Sequence, residues 1–252
     1  NARDILIQQT ENRKSYLQNE MIQKWSNLST ISQTINESTQ KLIEQNVISK
    51  IGTLPQKRIC IIGTMSEKFY ILLAKNLMPN DCVCIFDTTG NISKAEASLN
   101  NAMYSNIEIM AFPVSNKKFD WYGWRLFQYY HQLRKLGVPT QVFTAVFYKG
   151  KHLFQYDMGT LQLVKDMLID GGYFVVYDCA WTLAKSPTMN PQVNADTAAE
   201  YTKEQINIPH IQYLLDGYID NTFMEQEELS SAKTRVYRKR QPVSSTPSNL
   251  YY

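Results

Sequence analysis

The chain has no apolar run long enough to cross a membrane as a helix and no signal-peptide pattern at its start, so a membrane-spanning or secreted product is not expected. It begins at Asn1 rather than Met, which reads as a fragment or a processed product. Cysteine is scarce. Cys60, Cys82, Cys84 and Cys179 lack the paired short spacing of a zinc site and fall in or beside apolar stretches. They read as small core residues with free thiols, which implies a reducing, cytoplasmic location. A formal net charge of +3 is too small to argue for a nucleic-acid partner. Glycine and proline are absent from residues 2–50, so nothing there breaks a helix.

What the sequence does carry is concentrated in residues 58–87, RICIIGTMSEKFYILLAKNLMPNDCVCIFD. The run Ile59-Cys60-Ile61-Ile62 is too short for a helix and suits a strand covered on both faces. Gly63 gives a turn, and Thr64 with Glu67 has the spacing of a capping box. Phe69, Leu72, Leu73 and Leu77 mark one side of a helix, residues 82–86 form a second strand, and Asp87 closes it. In open α/β sheets the crevice at the carboxyl ends of the strands is where nucleotides bind, with an acid placed to hold a ribose.

Strand and helix then alternate. Residues 106–112 and 140–148 read as strands, and residues 120–136 as a helix with Tyr122, Leu126, Tyr129, Leu133 and Leu136 on one face, stopped at Gly137. The aromatic run from Trp121 to Tyr130 reads as packing rather than a base-stacking platform. Asp157 is placed to cap a helix to residue 169, residues 173–177 form a central strand, and Thr202 with Gln205 opens a helix to about residue 215. Two late strands near residues 218–225 and 233–239 form a C-terminal β-hairpin. The cations Arg235, Arg238, Lys239 and Arg240 fit a solvated edge that discourages strand pairing. Residues 181–201 are long for an α/β connection, the length of lids, substrate-binding segments or simply disordered loops.

The fold class is therefore α/β, a Rossmann-like, mostly parallel sheet with helices on both faces, preceded by one long N-terminal helix. The expected divisions are a helical segment at 1–50, a linker at 51–56, the α/β domain at 57–240 and a disordered tail at 241–252. An apolar stripe including Leu17, Met21, Trp25, Leu28, Leu42 and Ile43 must pack on the domain or on a second copy, so self-association through that helix is one expectation.

The turn at Gly63 fails the dinucleotide fingerprint G-x-G-x-x-G, because Met65 and Lys68 stand where further glycines belong. A Walker loop is also absent, which leaves a nucleoside ligand without a pyrophosphate. Over residues 57–239 the chain resembles the class I S-adenosylmethionine-dependent methyltransferases, through IIGTMSEKFYILLA, Asp87 and IDGGYFVVYDCAW. The resemblance implies S-adenosylmethionine as cofactor, with Asp87 on the ribose hydroxyls and Gly63, Thr64 and Ser66 along the methionine end. It implies catalytic roles for His152 and Asp178, which follow the fourth and fifth strands, toward a hydroxyl or amine acceptor. Trp181 and Lys185 in the long loop are placed to contact that acceptor. Metal-dependent members carry an acid after the fourth strand and a second Asp or Asn after the fifth; Lys149 and Cys179 stand there, so no metal site is expected.

Residues 4–48 also resemble the first helix of bacterial double-Cache sensor domains, through SYLQNEMIQKWSNLS, without the β-rich module that should follow. Two other readings thus stand beside the enzyme: a catalytically degenerate interaction module, and a helix-fused fragment of a bacterial sensor.

Overall fold

The computed structural model describes residues 37–102, 107–117, 119–219 and 222–241. The sensor-like segment at 15–29, most of the expected long helix and the tail beyond residue 241 lie outside them. The strands are β1 (Arg58–Ile62), β2 (Cys82–Thr88), β3 (Glu108–Val114), β4 (Phe143–Tyr148), β5 (Leu168–Val176), β6 (Phe223–Glu225) and β7 (Arg235–Lys239). They form one sheet in the order β3-β2-β1-β4-β5-β7-β6. The first five are parallel, and β7 runs antiparallel to both β5 and β6. The expected mostly parallel sheet and late antiparallel pair are both present.

The central strands are apolar throughout because both faces are covered. Ile59 and Ile61 point toward α1 (Glu37–Gly52), α2 (Glu67–Ala74) and α3 (Thr89–Ala102), while Cys60 and Ile62 point toward α4 (Tyr122–Lys135) and α5 (Phe154–Met167). Each fully buried isoleucine stabilises the fold by about 1.5–3 kcal/mol relative to exposure. The edge strand β3 is only partly covered, and it alone among the described strands carries a proline, Pro113. All four cysteines are buried and free. The helix α1 buries Ile43, Val47, Ile48 and Ile51 in the same core as β1 and α2, so its described part is packed on the α/β domain.

Several local readings change. The helix after β1 is capped by Ser66, whose Oγ accepts from Phe69 N, and not by Thr64. The helix after β4 begins at Phe154, so Asp157 lies within its first turn. Thr202 and Gln205 do form a capping box, opening α7 (Lys203–Asn207). Pro209 then interrupts the helix, because the residue before a proline avoids the helical region; Ile208 has ψ 146° and α8 (His210–Tyr218) starts afresh. Leu136 lies past the end of α4 and is 75% exposed, not on its buried face.

The basic strand is not an edge. β7 lies between β5 and β6, and its cations are tied in place. Arg235 Nη1 meets Glu225 Oε1 at 2.9 Å, Arg238 Nε donates to Gly171 O, and Lys239 Nζ donates to the carbonyls of Lys165 and Leu168. At the opposite, amino end of β1, Lys57 and Asp81 form a buried ion pair at 2.9 Å, with Asp81 also accepting from the backbone of Lys57 and Met78.

Candidate functional site

Strand order reverses between β1 and β4, and the residues singled out from the sequence lie along the carboxyl edge on either side of that point. Gly63 leaves β1 with φ +83°, and its N–H donates to Phe86 O. A Cβ there would fall 1.8 Å from the Lys149 carbonyl oxygen. Glycine is required because two backbones meet, quite apart from any ligand.

Asp87 is the penultimate residue of β2, with its side chain buried; the residue is 1% exposed. Oδ2 accepts from Thr64 Oγ1 at 2.8 Å, and Oδ1 accepts from Asn91 Nδ2 at 3.1 Å and from Thr88 N. Asn91 Nδ2 also donates to Thr64 Oγ1 at 2.7 Å, so the three side chains close a ring. Beside it, between α2 and α3, lies a cleft of about 330 Å³ lined by residues including Thr64, Glu67, Tyr70, Asn91 and Lys94. Ser66 is committed to its cap.

Across the switch point, the loop after β4 brings His152 to Asp178 at the end of β5. Lys149 Nζ lies 3.6 Å from Asp178 Oδ2, and His152 Nε2 lies 3.9 Å from the same oxygen. Both His152 (φ +62°) and Asp178 (φ +53°) occupy the left-handed region, uncommon for side chains other than glycine. Burial lowers the pKa of His152; Asp178 and Asp157 draw it back up and Lys149 pushes it further down. Desolvation is the larger cause of the lowering, ahead of the nearby Lys149 cation. Nε2 of the ring is buried without a hydrogen-bond partner.

Asp157 fixes this loop from beneath. Its carboxylate accepts from the backbone N–H groups of Lys151 and Leu153 and from the Tyr148 hydroxyl. Burial raises the Asp157 pKa, and those donors pull it down again. On the other side α1 contributes Glu44, whose pKa burial raises while Gln40, Tyr177 and Lys149 lower it. The Tyr177 hydroxyl faces Glu44, buried and without a hydrogen bond of normal geometry.

Trp181 packs its ring 5.6 Å from that of His152, and its backbone N–H donates to Asp178 O. Lys185 ends a short 3-10 turn at Leu183–Lys185 and is exposed; no described contact joins it to His152 or Asp178. Residues 181–201 are folded rather than open. Ser186 Oγ accepts from Thr188 N and Met189 N, Asn190 Nδ2 donates to Ala184 O, and Asn194 caps α6 (Ala195–Glu200). Among the described residues no three His, Cys, Asp or Glu side chains converge as a metal-binding group.

The structure thus gathers Gly63, Thr64 and Asp87 on one side and His152, Asp178 and Trp181 on the other. Asn91 and Glu44 were missed. Asn91 stands four residues beyond Asp87, one helical turn, and Glu44 shares a helix side with Val47, Ile48 and Ile51. Those spacings were the only signals available.

No family model matches the chain, and no curated protein matches it in sequence. Among solved structures, a protein from Corynebacterium glutamicum matches at TM-score 0.51 and 10% identity, over 93% of this chain and 99% of its own. A cofactor-bound protein from MTB matches at TM-score 0.48 and 13% identity, over 89% of this chain and 90% of its own. The O-methyltransferase of tomaymycin synthesis from Streptomyces achromogenes, in complex with SAM, matches at TM-score 0.46 and 13% identity, over 88% and 90%. At 10% identity the likeness to the Corynebacterium protein is one of fold, and that fold is the Rossmann-like α/β architecture that the resemblance to class I methyltransferases implies.

Proposed function

We propose that the protein transfers a methyl group from S-adenosylmethionine to a hydroxyl or amine acceptor. The observation that supports this most is the placement of Asp87 at one side of the switch point and of the His152–Asp178 pair at the other. S-adenosylmethionine supplies an activated methyl group on a sulfonium sulfur. Asp87 holds the ribose hydroxyls, and Gly63 and Thr64 lie along the methionine end. The residues fit a ribose by exchange. The Thr64 hydroxyl now donates to Asp87 an O–H···O bond of the kind a ribose hydroxyl makes, and Thr64 is itself exposed.

On the acceptor side His152 removes a proton and Asp178 stabilises the imidazolium that results. Trp181 flanks the acceptor, and Lys185 contacts its outer part. Methyl transfer asks mainly for alignment, which strand-end residues held by a packed sheet provide. The four buried free thiols agree with a reducing compartment such as the cytoplasm.

Calorimetric titration with S-adenosylhomocysteine tests the reading. Micromolar binding that disappears in Asp87→Ala supports it. No binding at millimolar ligand overturns it and leaves the degenerate interaction module as the better description.

A further inference from the structure

The aromatic run from Trp121 to Tyr130 enters the core only in part. The helix α4 turns Tyr122, Leu126, Tyr129 and Leu133 inward, which leaves Trp124 and Phe127 on its solvent side at 49% and 47% exposure. Eleven large apolar side chains are exposed among the described residues. Five of them, Phe119, Trp124, Phe127, Leu136 and Val138, fall within residues 119–138. Single exposed apolar residues are ordinary, whereas a cluster on one element marks a contact surface.

The exposed positions repeat with the helix. Trp124, Phe127, Gln128, His131, Arg134 and Lys135 are all exposed and follow one another mostly at three- and four-residue steps. They therefore line one side of α4 over roughly 16 Å. The His131 ring stacks against Phe127, with centroids 6.3 Å apart and planes 18° from parallel.

Charge gathers on the same segment. Residues 117–138 carry five lysines and arginines against the single acid Asp120, a net of +4 where the whole chain has +3. Asp120 is engaged by Arg125 at 2.7 Å, and Arg134 and Lys135 stand exposed at the other end of the helix. An occupant of this face has to offer apolar and negative surface together. The chain's own ends do not supply that charge: residues 1–36 carry four cations and three acids, and residues 242–252 have no acidic side chain. A second copy pairing face to face would set Arg134 and Lys135 against a surface of their own sign. A nucleic-acid strand offers phosphates and stacking bases, but nothing that suits Leu136 and Val138. An anionic lipid surface offers both, since Trp and Phe settle at headgroup level and each nearby Lys or Arg adds attraction.

We propose that the outer face of α4 docks the protein on an anionic lipid surface. Trp124 and Phe127 insert among the headgroups, and Arg134 and Lys135 meet lipid phosphates. The first turn of α4 adjoins the loop after β4, where Lys151 Nζ stands 5.7 Å from the Tyr122 ring centroid, so the docked face lies beside the candidate site. Docking uses none of Asp87, His152 or Asp178 and is independent of the methyl-transfer reading.

The test is co-sedimentation of the full chain with vesicles of equal parts phosphatidylcholine and phosphatidylglycerol, and with phosphatidylcholine alone. Binding to the mixed vesicles is expected, at least about tenfold tighter than to the neutral ones and falling as salt is raised. Trp124→Ser/Phe127→Ser and Arg134→Gln/Lys135→Gln are each expected to weaken it by at least about tenfold. Thermal midpoints should stay unchanged in both double variants, because all four side chains are exposed. No binding to the mixed vesicles, equal binding to both kinds, or binding that survives either double variant overturns the proposal. A dimer in sedimentation velocity that Trp124→Ser/Phe127→Ser dissolves overturns it in favour of a second copy. Tighter binding of a polyuridine strand through the same residues overturns it in favour of nucleic acid.

Discussion

The Thr64 hydroxyl donates to Asp87 Oδ2 at 2.8 Å while accepting from Asn91 Nδ2 at 2.7 Å. The acid near the end of β2 is therefore satisfied within the chain by groups that resemble the hydroxyls of a ribose. Ligand entry at Asp87 is an exchange of hydrogen bonds, and this separates two substitutions. Asp87→Asn removes the charge that any ribose would use, so calorimetric affinity for S-adenosylhomocysteine should fall by at least about tenfold, or 1.4 kcal/mol. Thr64→Val removes only the exchanged partner and should alter affinity by less than about threefold. Equal losses in both variants would show that Thr64 itself holds the ligand.

Gly63 should not tolerate a methyl group. Left-handed backbone alone makes an alanine there cost about 1–3 kcal/mol, and the Lys149 carbonyl stands where the Cβ would go. Thermal unfolding of Gly63→Ala should start at least about 4 °C lower than wild type, given roughly 2–4 °C per kcal/mol for a chain of this size. An unchanged midpoint would mean that the turn moves freely away from Lys149.

Stability also depends on the far end of the sheet. Lys57→Met leaves Asp81 charged and buried with only backbone donors, and breaking a buried pair in this way costs about 3–5 kcal/mol. Chemical denaturation measures that loss directly. The double variant Lys57→Met/Asp81→Leu should recover part of it, since no uncompensated charge then remains.

Acid should weaken the fold through His152. Burial lowers its pKa below the ordinary value of about 6.5, so the unfolded chain takes up a proton that the folded chain does not. The unfolded state binds more protons in that window, and stability falls as pH drops through about 6.5 toward the folded value. His210, also lowered by burial, acts in the same direction. Asp157 and Glu44, both raised by burial, act oppositely: their contribution is present at low pH and is lost as pH rises through their folded values. The comparison that isolates His152 is wild type against His152→Gln, denatured at several pH values between about 5 and 8. Wild type should lose stability relative to the variant on acidification. A constant difference would show that His152 titrates normally.

The parallel core was legible because its signals are local. Ile59 to Ile62 could only be a doubly covered strand, the 3.6-residue period of Tyr122, Leu126, Tyr129 and Leu133 gave a helix face, and Gly137 at φ +69° gave its stop. Helix starts were less certain, since Thr64 and Ser66 both offer a capping hydroxyl; Asp87 engages Thr64 and leaves Ser66 to the helix. The position of β7 was not legible at all. Its cations suit a solvated edge until Glu225 and the carbonyls of Gly171, Lys165 and Leu168 are brought to them from elsewhere in the chain.

By itself the sequence determined the alternation of strand and helix, the acid near the end of β2 and the turn at Gly63, because hydrophobic period and glycine act over a few residues. Tertiary structure decided what those residues face. It set Lys149 against Gly63, put His152 and Asp178 within 3.9 Å although 26 positions separate 152 from 178, and buried His152 enough to lower its pKa. Desolvation and charge act through space, and only the order of strands in the sheet determines which distant residues share it.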